Sequence, residues 1–335
     1  MLQETIHLII LLFIYTLIFY NKEKISKSLK LIDQPDNKRK IHSKPTPLLG
    51  GIIILIIILI NFYSLYSNLP YKELVILYIL VGIYFLLSYI DDIKGLNSYF
   101  RLTFLFCATF FLLSFSDLFV LENLIFNFNN LNYSLNYFDI FVTTLCLLLL
   151  VNALNLSDGI NGLSTLLIIF WFIYTKFVLF DDLSPTGLSS LIILMIVFFH
   201  IYNGKFFLGD YGVTVAGLII GLLCIASYNV NLNTDKQIYV EELFLLFFIP
   251  GLDMFRLFIQ RILKKKDPFS ADKNHLHHIL IERFNLKTTL FLYLLISITP
   301  LFLYKFFLIN TLMLIIGCIL IYFIIFSKIL KNIFN

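Results

Sequence analysis

The sequence predicts an all-α polytopic membrane protein of about eleven spans. Three observations carry that reading. Of 335 residues, 59% are hydrophobic and only 14% charged, whereas soluble domains are about half apolar and a quarter charged. The apolar runs are continuous, where barrel strands would alternate. Basic residues gather at alternate ends of these runs, as membrane topology requires.

Crossing ~30 Å of hydrocarbon takes ~20 helical residues. Runs of that kind lie near 5–20, 48–67, 73–90, 101–119, 138–154, 162–180, 186–202, 211–229, 241–263, 288–306 and 308–327. The first, with Leu8 to Tyr20 at its heart, is followed by basic residues and no small-residue cleavage site. It therefore reads as a span and not as a cleaved signal. With the N-terminus outside and the C-terminus cytoplasmic, only Lys72, Lys176, Lys236 and Lys305 of the 25 basic residues fall on the outer side. That asymmetry places the chain in the cell's inner (plasma) membrane with a basic cytoplasmic face. The partner expected of those charges is lipid or phosphorylated substrate, not nucleic acid. Residues Leu121 to Phe138, outside, alternate aromatic and polar side chains around Asn129-Asn130 and read as a surface hairpin. No repeat or linker divides the chain, so residues 1–335 read as a single domain.

Four polar islands end the apolar runs, and all fall on the inner face: Ser88 to Leu96, Asn152 to Gly159, Phe207 to Asp210 and Asp272 to His278. Polar groups near lipid are retained chiefly where they act chemically or line a wet cavity. One cytoplasmic site built from several loops is the economical reading. Asp91 and Asp92 stand at a helix C-terminus, where a carboxylate is disfavoured by up to ~1 kcal/mol unless compensated. Capping of the next helix accounts for one aspartate better than two. Asp210 opens a span and is either an N-cap or a ligand. Asn155 and Asp158 sit in a turn that Gly159 and Gly162 keep open. Amide and carboxylate oxygens on separate loops suit Mg²⁺, which takes few protein ligands and leaves positions for phosphate oxygens. His275, His277 and His278 read as phosphate ligands, a zinc site without its cysteine, or a solvated basic loop. His7 and His200, isolated in spans, read as structural. So do Cys107, Cys146, Cys224 and Cys318, which lie in apolar runs and form no CxxC pair.

Taken together, these strings resemble the polyprenyl-phosphate N-acetylhexosamine-1-phosphate transferases. The resemblance covers about 33–280. It rests on Asp33, His42 and Pro47-Leu48-Leu49-Gly50-Gly51, on DDxxGL from Asp91 to Leu96 and NxxNxxDG from Asn152 to Gly159, then on FLGD from Phe207 to Asp210 and PFxxDxxHLHH from Pro268 to His278. The H-x-H-H form lies nearer the WecA and TagO branch than MraY, whose loop has three consecutive histidines. Asn161, Tyr211 and Val213 depart from the family's usual residues.

The resemblance implies that a polyprenyl (undecaprenyl) phosphate attacks the β-phosphorus of a UDP-N-acetylhexosamine, releasing UMP and starting a lipid-linked cell-envelope glycan. It implies Mg²⁺, with Mn²⁺ as a substitute, held by Asn155 and Asp210. Asp91 and Asp92 would orient or deprotonate the lipid phosphate. Asn152, Asp158 and Phe207 would contact the nucleotide, Phe207 against the uracil. His275, His277, His278 and Arg101 would hold pyrophosphate oxygens, with Lys44 a further substrate contact. A homodimer is compatible with a lipid-facing seam. A secondary transporter is the alternative from another class, and it would place ionisable groups at mid-membrane and show a repeat between halves. An outward-facing polymerase would need charged outer loops.

Overall fold

The computed structural model describes residues 2–35, 44–61, 69–129, 131–180, 185–270, 273–307 and 310–331. His42, Asp272 and the end of the expected span 48–67 lie outside them. The described chain is mostly helical and forms two compact units, one of residues up to Leu121 with Phe138–Val230, the other of Glu122–Tyr137 with Asn231 onward. Four helical stretches, Tyr71–Lys94, Asn136–Leu156, Asp210–Val230 and Leu286–Phe306, are long and apolar enough to cross a membrane. A fifth is counted if the first two helices, bent by 74°, form one span. This is a multi-pass membrane protein.

In the first unit the helices are α1 (Leu2–Tyr20), α2 (Lys22–Ser28), α3 (Gly50–Ile60), α4 (Tyr71–Lys94), α5 (Ser98–Leu113), α6 (Asp139–Leu156), α7 (Leu163–Ile173), α8 (Pro185–Tyr202) and α9 (Asp210–Val230). The end of α7 widens into a π-helical turn, Tyr174–Leu179. The helix α9 is buried on nearly every face, from Tyr211 to Tyr228, and is the axis on which α3, α4 and α6 pack. A helix apolar all round belongs in such a place. Polar pairs tie the packing together: Tyr84 to Thr109 at 2.9 Å, Thr214 to Ser88 at 2.9 Å, His7 to Ser189 at 2.7 Å and Tyr15 to His200 at 2.7 Å. Both isolated histidines are thus helix-to-helix fasteners.

The two-residue strands β1 (Ile32–Asp33) and β2 (Thr46–Pro47) pair antiparallel. From β2 the chain runs against Phe207 and Leu208. Phe207 donates its N–H to Pro47 O at 2.8 Å, and its carbonyl accepts from Leu49 (3.1 Å) and Gly50 (3.0 Å). Gly51 then meets Gly212 backbone to backbone, since a Cβ on Gly212 would fall 2.6 Å from Gly51 Cα. The Gly-Gly pair and the FLGD string are therefore two halves of one joint.

In the second unit, β3 (Asn123–Phe126) and β4 (Leu131–Ser134) form the expected hairpin, with Phe126 opposite Leu131. Its helices are α10 (Val240–Leu246), α11 (Phe248–Leu263), α12 (Leu276–Ile281), α13 (Leu286–Phe306) and α14 (Thr311–Lys331). The run 241–263, read as one span, is two helices meeting at Phe247. Pro250 explains the break, because it has no N–H to offer the carbonyl of Leu246 four residues back. The helix α11 also buries its charges, Asp253, Arg256 and Arg261, and exposes Phe255, Ile259, Ile262 and Leu263. That polarity suits a helix whose outer face meets lipid.

Candidate active site

The carboxylates of the first unit gather where α4 ends and α9 begins. Gly95 closes α4 in the left-handed conformation (φ 67°), and the turn behind it aims Asp91 back at the chain. Asp91 Oδ1 accepts the N–H of Leu96 at 2.6 Å, and its Oδ2 pairs with the guanidinium of Arg101. Arg101 stands in the first turn of α5, whose N-cap Asn97 accepts the N–H of Tyr99 at 2.8 Å. The same guanidinium nitrogen reaches Asp210 Oδ2 at 3.3 Å.

Asp92 points the other way. Its Oδ2 accepts the N–H of Tyr211 at 3.3 Å, and the N–H of Asp210 also bonds to it. The close fit leaves no room for a side chain on Gly209, where φ is 79° and a Cβ would sit 3.1 Å from Asp92 Oδ2. Asp91 and Asp92 thus differ in office: one holds Arg101, the other caps α9.

Asp158 follows the end of α6 and accepts a hydrogen bond from the hydroxyl of Ser164. Burial pushes its pKa up to about 7, the Ser164 bond opposing and the charges of Asp210 and Asp33 adding to the rise. Asn155 Oδ1 is buried with no hydrogen-bond partner among the described residues. A buried acceptor without a donor calls for a ligand or costs about 1–3 kcal/mol. Asn152 gives its amide to Leu148 O at 2.9 Å, within its own helix. The ring of Phe207 is half-buried against Leu31, Leu48, Leu49 and Tyr211. Lys44 is exposed at the entry to β2.

Oxygen donors of this kind fit Mg²⁺: Asp210 supplies a carboxylate and Asn155 an uncommitted amide oxygen. Among the described residues no three His, Cys, Asp or Glu side chains form a ready-made metal cage.

The histidines belong to the second unit. His275 is the N-cap of α12, and its Nδ1 lies 2.9 Å from Asp253 Oδ2. Its ring lies 5.5 Å from that of His277 at 15°, and His277 and His278 are 4.3 Å apart. His277 is buried, and neither ring nitrogen has a partner among the described residues. Burial, helped by His278 and His275, holds its pKa well below the ordinary value, so it is neutral at pH 7.

Sequence reasoning missed Ser164, Asp253 and Tyr322, and counted Arg256 only as an inner-side charge. Two of them had a visible signal, because Asp253 and Arg256 are charges inside a predicted span. Tyr211, noted only as a departure, is fully buried and donates its hydroxyl to Leu48 O at 2.7 Å.

Comparison with known proteins agrees with the motifs. The family model described as glycosyl transferase family 4 matches residues 74–228. The undecaprenyl-phosphate alpha-N-acetylglucosaminyl 1-phosphate transferase of Escherichia coli (strain K12) is 27% identical over 284 residues, 82% of this chain and 75% of that one. The protein of the same name from Salmonella typhimurium is 26% identical over the same shares. A probable undecaprenyl-phosphate N-acetylglucosaminyl 1-phosphate transferase of Bacillus subtilis (strain 168) is 26% identical over 271 residues, 77% of this chain and 72% of that one. The resemblance read from the motifs is borne out as a similarity to the glycosyl transferase family 4 proteins, at modest identity over most of the chain.

Proposed function

We propose that this protein transfers N-acetylhexosamine 1-phosphate from a UDP-sugar to a polyprenyl phosphate in the membrane. A lipid phosphate oxygen attacks the β-phosphorus, the bond from that phosphorus to the bridging oxygen breaks, and UMP departs with that oxygen. The observation that carries this reading is the gathering of Asp91 and Asp210 on Arg101, with Asp92 against the start of α9, at the ends of apolar helices. The names of the relatives support the lipid phosphate as acceptor and N-acetylglucosamine as the sugar.

Two anionic phosphates must approach each other, so charge neutralisation and in-line positioning are the main tasks. Asp210 and Asn155 would hold Mg²⁺, which when bound supplies positive charge to the phosphate oxygens. Arg101, held beside Asp210 by Asp91, would be a phosphate ligand. Asp92 is the carboxylate left to orient the lipid phosphate. A phosphate monoester has a second pKa of ~6 and is largely dianionic already, so orientation outweighs proton removal. Asp158 with Ser164, Asn152 and Phe207 are assigned to the nucleotide, and His275, His277 and His278 to the pyrophosphate, on the strength of the motifs.

The basic residues support eleven spans with the site on the cytoplasmic side, where a soluble nucleotide meets a lipid headgroup. Purified protein with undecaprenyl phosphate, Mg²⁺ and a panel of UDP-sugars should release UMP with a UDP-N-acetylhexosamine. EDTA should stop release, and Asp210→Asn should cut it by ~100-fold or more, as loss of a transition-state charge ligand does. Metal-independent turnover would overturn the metal assignment. Solute flux in proteoliposomes without UMP would favour a transporter.

A further inference from the structure

A buried polar cluster in the second unit does a task that the motifs leave unassigned. Asp253 lies in the first half of α11 and is buried. Its Oδ1 accepts from Arg256 Nη2 at 2.8 Å and from the Tyr322 hydroxyl at 2.6 Å. Its Oδ2 accepts from His275 at 2.9 Å, and the N–H of Leu276 reaches both oxygens at 3.2 Å. Arg256 gives a further bond to the carbonyl of Asn274 at 2.6 Å and one to the Tyr322 oxygen at 2.9 Å. The Phe326 ring lies 3.9 Å from its guanidinium carbon. Asp253, Arg256, His275 and Tyr322 are all buried.

This arrangement does more than fill a core. A buried ion pair seldom adds net stability over apolar residues of the same size, so its retention asks for another reason. Here Asp253 and Arg256, themselves bridged by Tyr322, converge on three consecutive residues, Asn274, His275 and Leu276, at the start of the H-x-H-H string. An ionised carboxylate only accepts, so the proton of the Asp253–His275 bond sits on Nδ1. That settles which ring nitrogen remains for other work. Nε2 has no hydrogen-bond partner among the described residues.

We propose that Asp253 is a positioning residue for the transfer reaction: with Arg256 and Tyr322 it clamps the backbone of 274–276 and keeps His275 protonated on Nδ1, leaving Nε2 to meet phosphate oxygens. The inference rests on the transferase reading above.

The test joins kinetics to spectroscopy on the full-length protein. UMP release is measured for wild type, Asp253→Asn, His275→Gln and the double variant, and ¹⁵N-histidine spectra are recorded for wild type and Asp253→Asn. Asp253→Asn should lower kcat by about 10- to 100-fold, as loss of the group orienting a functional histidine does. In the His275→Gln background it should cost nothing further, since it acts through that ring. The His275 Nδ1 signal should be N–H-like in wild type and lone-pair-like in Asp253→Asn. If Asp253→Asn does not fold, Tyr322→Phe, which removes one donor and no charge, takes its place in the same cycle, with a smaller loss that again vanishes in the His275→Gln background. Losses that multiply in the double variant, or a wild-type His275 protonated on Nε2 alone, overturn the proposal. Wild-type protein that shows the Nδ1–H signal yet releases no UMP from any UDP-N-acetylhexosamine overturns the transferase reading and leaves the clamp standing.

Discussion

The carboxylate of Asp92 accepts the backbone N–H of Tyr211 at 3.3 Å, so an acid at the end of α4 caps the start of α9. At a helix C-terminus a carboxylate is disfavoured, and at a helix N-terminus it is favoured by a similar 0.3–1 kcal/mol or so. One side chain serves two helix ends, and the second offsets the first. Asp91 solves the same problem differently, through Arg101 and the N–H of Leu96.

Gly209 makes that contact possible. Gly209→Ala would force a Cβ into a φ of 79°, 2.8 Å from the Tyr211 ring and 3.1 Å from Asp92 Oδ2. The left-handed conformation alone costs about 1–2 kcal/mol. Thermal unfolding in detergent should show at least that loss, and UMP release should fall with it. An unchanged transition temperature would contradict the joint described here.

Tyr211→Phe removes only the hydroxyl bonded to Leu48 O. A buried carbonyl left without its donor costs about 1–3 kcal/mol. Denaturant unfolding should register that cost. UMP release per folded molecule should change little, because the ring and the N–H to Asp92 remain.

Asp158 gives the protein a pH signature. Its folded pKa of about 7 lies above the ordinary carboxylate value. The native state therefore holds a proton that the unfolded chain has lost, and stability falls as pH rises from about 4 to 7, then levels. Asp158→Asn should flatten that slope. Ser164→Ala, which removes a bond favouring the charged form, should move the titration upward. Infrared difference spectra of the carboxyl C=O band across this range follow both changes.

Glu241 holds the hairpin of the second unit, accepting the N–H groups of Asn127 at 2.9 Å and Phe128 at 3.3 Å. A hydrogen bond to a charged group contributes about 1.5–3 kcal/mol. Glu241→Ala should speed amide exchange at 127 and 128 by roughly tenfold or more, which hydrogen-exchange mass spectrometry can resolve.

Much of this was legible in the sequence. The helical class showed through the continuous apolar runs, although among the described residues only four stretches, or five with the bent first pair, are long and apolar enough to cross a membrane. The hairpin showed through its alternation, and the acidic strings through their cost near lipid. What stayed hidden depends on partners distant in the chain. Nothing in Asp91-Asp92 says that one faces Arg101 and the other Tyr211. The break at Phe247 was readable from Pro250, and a hydropathy window passes over it. The partners of Asp253 include Tyr322, 69 residues on, and no local pattern joins them.

The joint between Leu48 and Tyr211 spans 163 residues of sequence. A ribosome adding about 5–20 residues per second needs roughly 8–30 s to make that interval. For all that time α3 has left the tunnel without the surface it docks on. Maturation of the acidic centre must therefore wait for the second half of the polypeptide, and nascent chains halted before Tyr211 would carry Asp91 and Asp92 without the helix that Asp92 caps.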